Sequence, residues 1–287
     1  MAPPLVSVII PSFNRARMLV ETVQSVIAQH FTDWELVVAD DGSDDDSAAQ
    51  VAALGDPRVR LLTGFHSGRP ALVRNRGVAV AAGKWLAFLD SDDLSLPDRL
   101  GQQLKATENG AAGWCYADHG LISEDGRFGP RRAGSFAPIE GRILLPLIRE
   151  ETSVSISTLL VRRDLFRSIG GFDETLRIRH DLDFTFRLAA VADAAAVADQ
   201  LTMVREHPGR LTRGVSDPYD RTILVFERLE RRAPGEEAVA AGRMRKRALG
   251  NAGARVALGK GKPLIAVRTW WRGRRRIRPT ADRLSSP

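Results

Sequence analysis

The sequence predicts an α/β fold in which a mostly parallel central sheet is flanked by helices. Apolar strand-like segments alternate with helical segments through the first third of the chain. Such alternation in short units is typical of parallel sheets with right-handed crossovers. The first, second and fourth strands run into polar loops. Because the carboxyl ends of parallel strands line the ligand crevice of an open sheet, we expect these three loops to gather at one edge.

The first strand is predicted at residues 6–10, where β-branched residues dominate and Pro11 closes the run. Leu19, Val23 and Val26 recur at helical spacing and predict the first helix. Further strands are predicted at residues 34–39, 59–62 and 85–89, and helices at 47–54 and 71–82.

The segment 85–93 joins an apolar run to three carboxylates, Asp90, Asp92 and Asp93. The run lacks alternation, which indicates a strand that is buried on both faces. Three like charges this close repel one another, and a divalent cation held together with substrate phosphates would relieve the repulsion. The alternative interpretation is an acidic turn that caps a helix starting at Pro97.

The second half of the chain has a less regular pattern. Turn signals dominate residues 118–150, and from Pro218 onward the pattern predicts helices alone. Strands are predicted at 113–117, 157–161 and 197–204, and helices at 143–149, at 163–169 and from Asp181.

Charge is distributed unevenly along the 287 residues, whose net charge is +7. Residues 243–287 hold 14 Lys/Arg and one acid, a net charge of +13. Residues 1–242 hold 28 Lys/Arg and 34 Asp/Glu, a net charge of −6. An acidic partner would therefore bind the basic tail.

The sequence also bounds the compartment in which the protein works. Its single cysteine, Cys115, excludes an intramolecular disulfide and favours a reducing environment. The N-terminus lacks the pattern of a signal peptide, and no apolar run reaches the length of a membrane span. We therefore expect a cytoplasmic location.

Seven groups of residues resemble the motifs of family 2 glycosyltransferases and stand in that family's order. They are SVIIPSFNR at 7–15, DDGS at 40–43, RNRG at 74–77, FLDSDD at 88–93 with PDRL at 97–100, GGFDE at 170–174, HDLD at 180–183 and REH at 205–207. The resemblance spans residues 5 to about 213. It implies a Rossmann-like GT-A catalytic domain at 1–215, with a nucleotide-binding half at about 1–110 and an acceptor half at about 111–215. A helical, basic extension would follow at 216–287.

The resemblance implies a metal site in the acidic segment. Asp92 would contact Mn²⁺ or Mg²⁺, and Asp90 would face the metal or the ribose. A bound cation stabilises the charge that develops on a departing nucleoside diphosphate. His207 resembles a histidine that approaches the metal in some relatives, although a plain loop residue is the alternative. Asp93 is left open between a direct role and helix capping.

The same resemblance implies a nucleotide pocket. Asp41 matches the carboxylate that reads the base and would accept the imide N–H of uracil, which favours UDP-sugars. Pro11 and Asn14 would line the pocket, and Arg74 would reach the nucleotide or its phosphates. The alternative for residues 40–43 is a tight turn.

Asp181 matches the family's general base, which takes the acceptor hydroxyl proton in an inverting transfer. The N-terminus of a helix favours its ionised form. His180 departs from the family pattern, because glutamate is usual at that position.

The tail predicts a membrane surface within residues 264–278. Leu264, Val267, Trp270 and Trp271 form one helical face, and arginines surround it. Such a face suits an anionic bilayer and would place the enzyme peripherally on the inner side of the cell membrane. The arginines are Arg268, Arg272, Arg274, Arg275, Arg276 and Arg278. A solvated tail or a helix packed on the catalytic domain is the alternative, and no motif supports nucleic-acid binding.

These features predict an inverting, metal-dependent glycosyltransferase that moves a sugar to a saccharide or lipid-linked glycan in cell-surface polysaccharide or glycoconjugate synthesis. A non-catalytic module that binds nucleotide-sugar or glycan is the competing class. A sugar nucleotidyltransferase would need a glycine-rich basic loop after the first strand, where this chain has Pro11-Ser12-Phe13-Asn14. The same residues exclude a phosphatase with a nucleophilic aspartate at the end of that strand.

Overall fold

The structure is a computed structural model that describes residues 2–108, 112–129, 136–209, 218–232, 235–260 and 262–276. Its strands are β1 Val6–Ser12, β2 Trp34–Asp40, β3 Val59–Thr63, β4 Trp85–Phe88, β5 Leu94–Ser95, β6 Trp114–Ser123, β7 Leu160–Arg162 and β8 Ala194–Glu206. Its helices are α1 Ala16–Ile27, α2 Ser47–Ala53, α3 Pro70–Val80, α4 Arg99–Thr107, α5 Leu144–Arg149, α6 Arg163–Ser168, α7 His180–Val191, α8 Pro218–Arg232, α9 Glu236–Gly259 and α10 Pro263–Arg274.

The strands form one sheet in the order β3-β2-β1-β4-β7-β6-β8-β5. The first four in this order are all parallel, which confirms the predicted α/β fold and gathers the carboxyl ends of β1, β2 and β4 at one edge. Beyond β4 the sheet is mixed, because β7 pairs antiparallel with both β4 and β6. Four of the seven pairings between described strands are parallel.

The central strands are buried on both faces because their apolar residues alternate between two cores. Ile9 and Phe88 belong to one cluster, which also takes in α7 and α8. Ile10 and Leu89 belong to the other cluster, which takes in α1 and α4. A continuous apolar run therefore forms a strand here, as the sequence predicted for residues 85–89.

Several predicted boundaries were wrong. Residues 118–123 were predicted as irregular, yet they continue β6 because β8 pairs with them throughout, with two shifts of register, one on each side of Asp118. The predicted strand 157–161 starts too early, because residues 157 and 158 lie in a 3₁₀ turn and β7 starts only at Leu160. The helix α4 starts at Arg99 and not at Pro97. β5 was missed, since its two residues form a strand only by pairing with β8.

The C-terminal helices pack on the sheet domain. In α8, Phe226 lies in the main core and its ring centroid is 5.5 Å from that of Phe186 in α7. Arg232 adds an ion pair of 2.8 Å to the fully buried Asp183. The helices α9 and α10 cross closely at two glycines, where a Cβ on Gly250 would lie 2.9 Å from the Cα of Gly273. In the described part of the chain, no helix combines the length and apolarity needed to cross a bilayer.

Candidate active site

A cleft of about 370 Å³ opens at the carboxyl edge of β1, β2 and β4, which is a size typical of ligand pockets. Its walls come from the loops that follow these strands, from the loop after β3 and from the start of α3. The lining residues are Pro11, Ser12, Phe13, Arg15, Asp41, His66, Gly68, Arg69, Pro70, Val73, Arg74, Asp90, Ser91, Asp92 and Arg177. The structure thus brings Pro11, Asp41, Arg74, Asp90 and Asp92 together in one cavity.

The three predicted carboxylates after β4 form one cluster, which we call the acidic cluster. Asp90, Asp92 and Asp93 can each present an oxygen such that all three oxygens lie within 4.8 Å of one another. Burial raises the pKa of Asp90, and the charges of Asp92 and Asp181 raise it further, while Arg74 opposes the rise. Burial raises the pKa of Asp93 well above its usual range, and the charges of Asp92 and Asp90 raise it further.

The end of β8 holds the cluster from the other side. Asp93 accepts hydrogen bonds from the backbone N–H of Arg205, at 2.9 Å, and from the Ser157 hydroxyl, at 2.5 Å. The buried Nε2 of His207 lies 2.8 Å from Oδ2 of Asp92. Both carboxylate oxygens of Asp93 therefore accept hydrogen bonds from within the protein, so Asp93 has a structural role.

The side chains of Asp90, Asp92 and His207 could act together as ligands of a divalent cation. The side chains of Asp90 and Asp92 are 34% and 17% exposed, whereas Asp93 is buried. Carboxylate oxygens are the ligands that Mg²⁺ and Mn²⁺ prefer, and the imidazole of His207 is compatible with Mn²⁺. Asp90, Asp92 and His207 are the residues that would hold such an ion.

Asp40 and Asp41, at the end of β2, have different hydrogen-bond partners and different roles. Asp40 accepts hydrogen bonds from the backbone N–H groups of Gly42 and Ser43, so it shapes the turn. Gly42 has φ +78°, and a Cβ there would lie 2.8 Å from two backbone atoms, so the turn needs glycine. Asp41 faces the cleft, where its carboxylate accepts N–H groups of Ser67 and Gly68 at 2.8–3.0 Å. It thereby orders the loop after β3.

Asn14 lies apart from the other predicted nucleotide residues. Its side-chain amide donates to Asp44 at 2.7 Å and accepts from the Asp44 backbone N–H at 3.0 Å. Its backbone has φ +50°, a conformation that Asn tolerates better than most residues. Asn14 therefore ties the loop after β1 to the loop after β2 and shapes the cleft without lining it.

Arg74 is more buried than a solvated helix residue would be. Only 4% of it is exposed, and its Nη2 donates to Asp90. Its Nη1 lies 2.6 Å from Nε2 of His180. Burial and the charge of Arg74 lower the pKa of His180 to about 4, so this histidine is neutral near pH 7. Arg74 thus reaches the cleft while it connects α7 to the acidic cluster.

Asp181 lies in the first turn of α7 and is half-buried. Its charge contributes to the raised pKa of Asp90, so the two carboxylates are within electrostatic range. Asp181 is not among the residues that line the cleft described above.

Sequence reasoning missed the part of the cleft that the loop after β3 and the loop before α7 provide. His66 stacks on Phe13 with ring centroids 3.9 Å apart, and Arg69 and Arg177 are exposed cations in the lining. β3 is the third parallel strand of the same sheet, so the strand-end argument applied to 64–69 would have found this loop.

The family profile described as glycosyl transferase family 2 matches residues 7–170, more than half of the chain. The chain belongs to this family. The predicted resemblance is therefore confirmed, and the matched segment contains the acidic cluster, Asp41 and Arg74. It ends before Asp181 and His207.

Two curated relatives are named for the synthesis of glycans. The succinoglycan biosynthesis protein ExoO of Rhizobium meliloti (strain 1021) is 32% identical over 80% of this chain and 69% of its own length. The UDP-Glc:alpha-D-GlcNAc-diphosphoundecaprenol beta-1,3-glucosyltransferase WfgD of Escherichia coli is 33% identical over 42% of this chain and 48% of its own length. The chain therefore matches about half of WfgD.

Solved structures confirm the GT-A fold. S. aureus TarS 1–349 in complex with UDP-GlcNAc superposes with a TM-score of 0.65 at 20% identity, over 96% of this chain and 89% of that one. The mannosyltransferase PcManGT of Pyrobaculum calidifontis, in complex with GDP-Man and Mn²⁺, gives a TM-score of 0.62 at 18% identity, over 93% and 79%.

Proposed function

We propose that this protein is an inverting glycosyltransferase that moves a sugar from a UDP-sugar to a saccharide or lipid-linked glycan, with Mn²⁺ or Mg²⁺ as cofactor. The observation that carries the proposal is the acidic cluster in a cleft formed by the carboxyl ends of β1, β2 and β4. In an open parallel sheet this edge is where ligands bind. The chain's family supplies the class of reaction.

The donor would lie across the cleft with its base near Asp41 and Pro11. Asp41 already accepts two hydrogen bonds on each carboxylate oxygen from Ser67 and Gly68, so it holds the loop after β3 and would exchange one of these bonds to accept an imide N–H. Asn14 would act indirectly by fixing the two loops. A uridine donor is supported by the names of WfgD and of the TarS complex.

The diphosphate would meet the acidic cluster. Asp92 and Asp90 would hold the cation together with His207, and the cation would neutralise the charge that grows on the departing diphosphate. Arg74 would keep Asp90 ionised and fixed, because the guanidinium offsets the cost of burying that carboxylate. Asp93 would hold β8 against the cluster.

Asp181 would take the proton of the acceptor hydroxyl as its oxygen attacks the anomeric carbon. This role needs an ionised carboxylate beside the sugar and opposite the diphosphate. The charge of Asp181 acts on Asp90, which supports a place beside the sugar, although Asp181 itself is not among the residues that line the cleft. The names of ExoO and WfgD support a glycan or lipid-linked acceptor in polysaccharide synthesis.

A nucleotide screen tests the donor site. Thermal unfolding would be followed with UDP, TDP, GDP and CMP, each with Mn²⁺ or with EDTA, for the wild type and for Asp92→Ala. We expect a UDP-dependent rise in melting temperature that needs Mn²⁺ and disappears in Asp92→Ala. A shift that survives in EDTA and in the variant would exclude the role of Asp92. Binding without turnover of any UDP-sugar would favour a non-catalytic module.

We also propose that α10 binds an anionic bilayer and brings the cleft to a lipid-linked acceptor. Its outer face exposes 85% of Leu264, 65% of Val267 and 56% of Trp271. The guanidinium of Arg275 lies 5.6 Å from the Trp271 ring centroid. Tryptophan beside exposed cations suits the bilayer interface. Arg278 lies outside the described residues.

Two arginines of the predicted basic surface form ion pairs within the protein. Arg272 bonds to Glu227 at 2.8 Å and to Asp220 at 2.9 Å, and Arg268 lies 3.8 Å from Asp220. Arg272 docks α10 on α8, whereas Arg268 is 61% exposed and only comes near the same acid. Lys260, Lys262, Arg275 and Arg276 are the exposed cations that would face lipid.

Vesicle sedimentation tests the bilayer proposal. The triple variant Leu264→Gln, Val267→Gln, Trp271→Gln should lose binding to vesicles that contain phosphatidylglycerol, and it should keep its nucleotide-induced stabilisation. Phe128→Gln is the matched control, since Phe128 is 72% exposed on the hairpin after β6. Equal binding by wild type and triple variant would exclude α10 as the contact.

A further inference from the structure

The contact between Arg74 and His180 fixes the state of the histidine by geometry. Arg74 Nη1 lies 2.6 Å from His180 Nε2. A guanidinium carries only N–H donors, so Nε2 must be the acceptor and cannot carry a proton. Both residues are buried, at 4% and 8% exposure. His180 is therefore a neutral imidazole whose remaining proton is on Nδ1.

Because the acceptor at position 180 is neutral, the Arg74 guanidinium does not divide its charge between Asp90 and a second carboxylate at this position. Arg74 has a second partner, Asp90, which accepts from Nη2. A carboxylate at position 180 would draw the guanidinium toward itself and share its charge, because charge-assisted bonds are stronger than neutral ones. The imidazole holds Nη1 in place without competing for that charge. Arg74 is thus held against Asp90 by a partner that adds no charge.

The neutral histidine also sets the charge around the reacting groups. Asp90, Asp92 and Asp181 carry three negative charges and Arg74 carries one positive charge, which sum to −2 when all are ionised. Asp41 and the cations Arg15, Arg69 and Arg177 also line the cleft. A carboxylate at position 180 would add one negative charge next to the acidic cluster, which favours a bound cation and disfavours a diphosphate.

We propose that His180 is a positioning residue that holds Arg74 against Asp90 as an uncharged acceptor and so adds no negative charge beside the site of an anionic nucleotide. This inference rests on the proposed donor site. It gives a reason for histidine at a position where the family resemblance leads us to expect glutamate.

The variant that tests the proposal is His180→Glu, with His180→Gln as its neutral counterpart. The Gln side-chain oxygen can accept from Arg74 without a charge. We expect His180→Glu to bind Mn²⁺ alone more tightly and UDP in the presence of saturating Mn²⁺ more weakly, each by roughly fivefold or more, because an added charge acts on the two ligands with opposite sign. His180→Gln should stay within about twofold of wild type in both, since it adds no charge.

A matched control adds the same charge elsewhere. Gln24 is exposed on α1, near the end of that helix that lies away from the carboxyl edge of the sheet. Gln24→Glu should leave both affinities unchanged. A purely structural role would weaken both ligands together in His180→Glu and in His180→Gln, so the opposite movement of Mn²⁺ and UDP is the decisive result.

The outcomes separate this inference from the donor site itself. Equal changes in His180→Glu and His180→Gln would overturn the role of His180 while leaving the donor site intact. A wild type that binds Mn²⁺ but no nucleotide would overturn the donor site, and with it the claim about the nucleotide. The ¹⁵N shifts of His180 give an independent reading: a protonated Nε2 at pH 7 would contradict the proposal in any case.

Discussion

The acidic cluster and the outer face of α10 differ in which side chains they bury and which they expose. Around the acidic cluster, Arg74, Asp93 and His207 are at most 4% exposed, and each is bonded to a named partner. On α10, Leu264 and Trp271 are more than half exposed. Buried charge is costly unless it is paired, and exposed apolar surface is favourable only when something covers it. The first arrangement suits a charged ligand, and the second suits a face that a bilayer covers, as we propose for α10.

The largest expected effect lies in the cleft. Asp181→Asn should lower kcat by roughly 10²- to 10⁴-fold, the range for loss of a general base. Binding of UDP with Mn²⁺ should remain, because the amide keeps the shape of the carboxylate. Transfer rates and UDP affinity would be measured together, with the exposed Asp125→Asn as control. A loss of UDP affinity that matches the loss of rate would assign Asp181 to binding instead.

The next largest effect is on stability, and it tests whether α8 folds together with the sheet domain. Phe226 lies in the main core, so Phe226→Ala should lower the free energy of unfolding by about 3–5 kcal/mol. Val256→Ala on the exposed face of α9 should change it by less than about 0.5 kcal/mol. Chemical denaturation followed by tryptophan fluorescence measures both. Two separate transitions, with only the minor one shifted by Phe226→Ala, would show that residues 216–287 fold apart from 1–215.

A pH effect follows from the burial of His180. Its pKa is lowered from 6.5 to about 4, so between these values the unfolded chain binds a proton that the folded chain does not. Stability is therefore lost as the pH falls below about 6.5, and His180 accounts for about 2 kcal/mol of that loss at pH 5. His180→Gln should show a smaller loss between pH 7.5 and 5. Identical losses would mean that His180 titrates normally in the folded protein.

The smallest expected effect lies on α10. Each cation near an anionic bilayer contributes about 1 kcal/mol, so Arg275→Ala and Arg276→Ala should each weaken vesicle binding by about fivefold. The effect should shrink as salt is added, because screening weakens it. Arg17→Ala is a control on the sheet domain, where Arg17 is 76% exposed. Equal weakening by the control would indicate attraction by net charge and not by this face.

Sequence reasoning worked best where local pattern and chemistry coincide. The strands β1, β2 and β4 are apolar runs that end in polar motifs, so both the fold and the acidic cluster followed from the sequence. β5 and the end of β6 were missed because their strand structure comes from pairing with β8, more than 80 residues away along the chain. Periodicity within a segment carries no information about such a partner.

The same limit applies to the site. The motifs predicted Asp90, Asp92 and Asp41, but the pairing of Arg74 with His180 joins positions 106 residues apart. Arg177 and His66 carry no motif and enter the cleft only through the arrangement of two loops. On α10 the exposed face was predicted from helical spacing, whereas the docking of Arg272 on Glu227 needed the structure.

The most direct test of the central claim is a calorimetric titration of UDP into the wild type and into Asp92→Asn, with Mn²⁺ and with EDTA. We predict binding to the wild type only with Mn²⁺, and a loss of at least tenfold in affinity in Asp92→Asn, which corresponds to about 1.4 kcal/mol. Asp92→Asn keeps the size of the side chain, so its folding can be checked by its melting temperature. Equal UDP affinity in all four titrations would contradict a metal-dependent donor site at the acidic cluster.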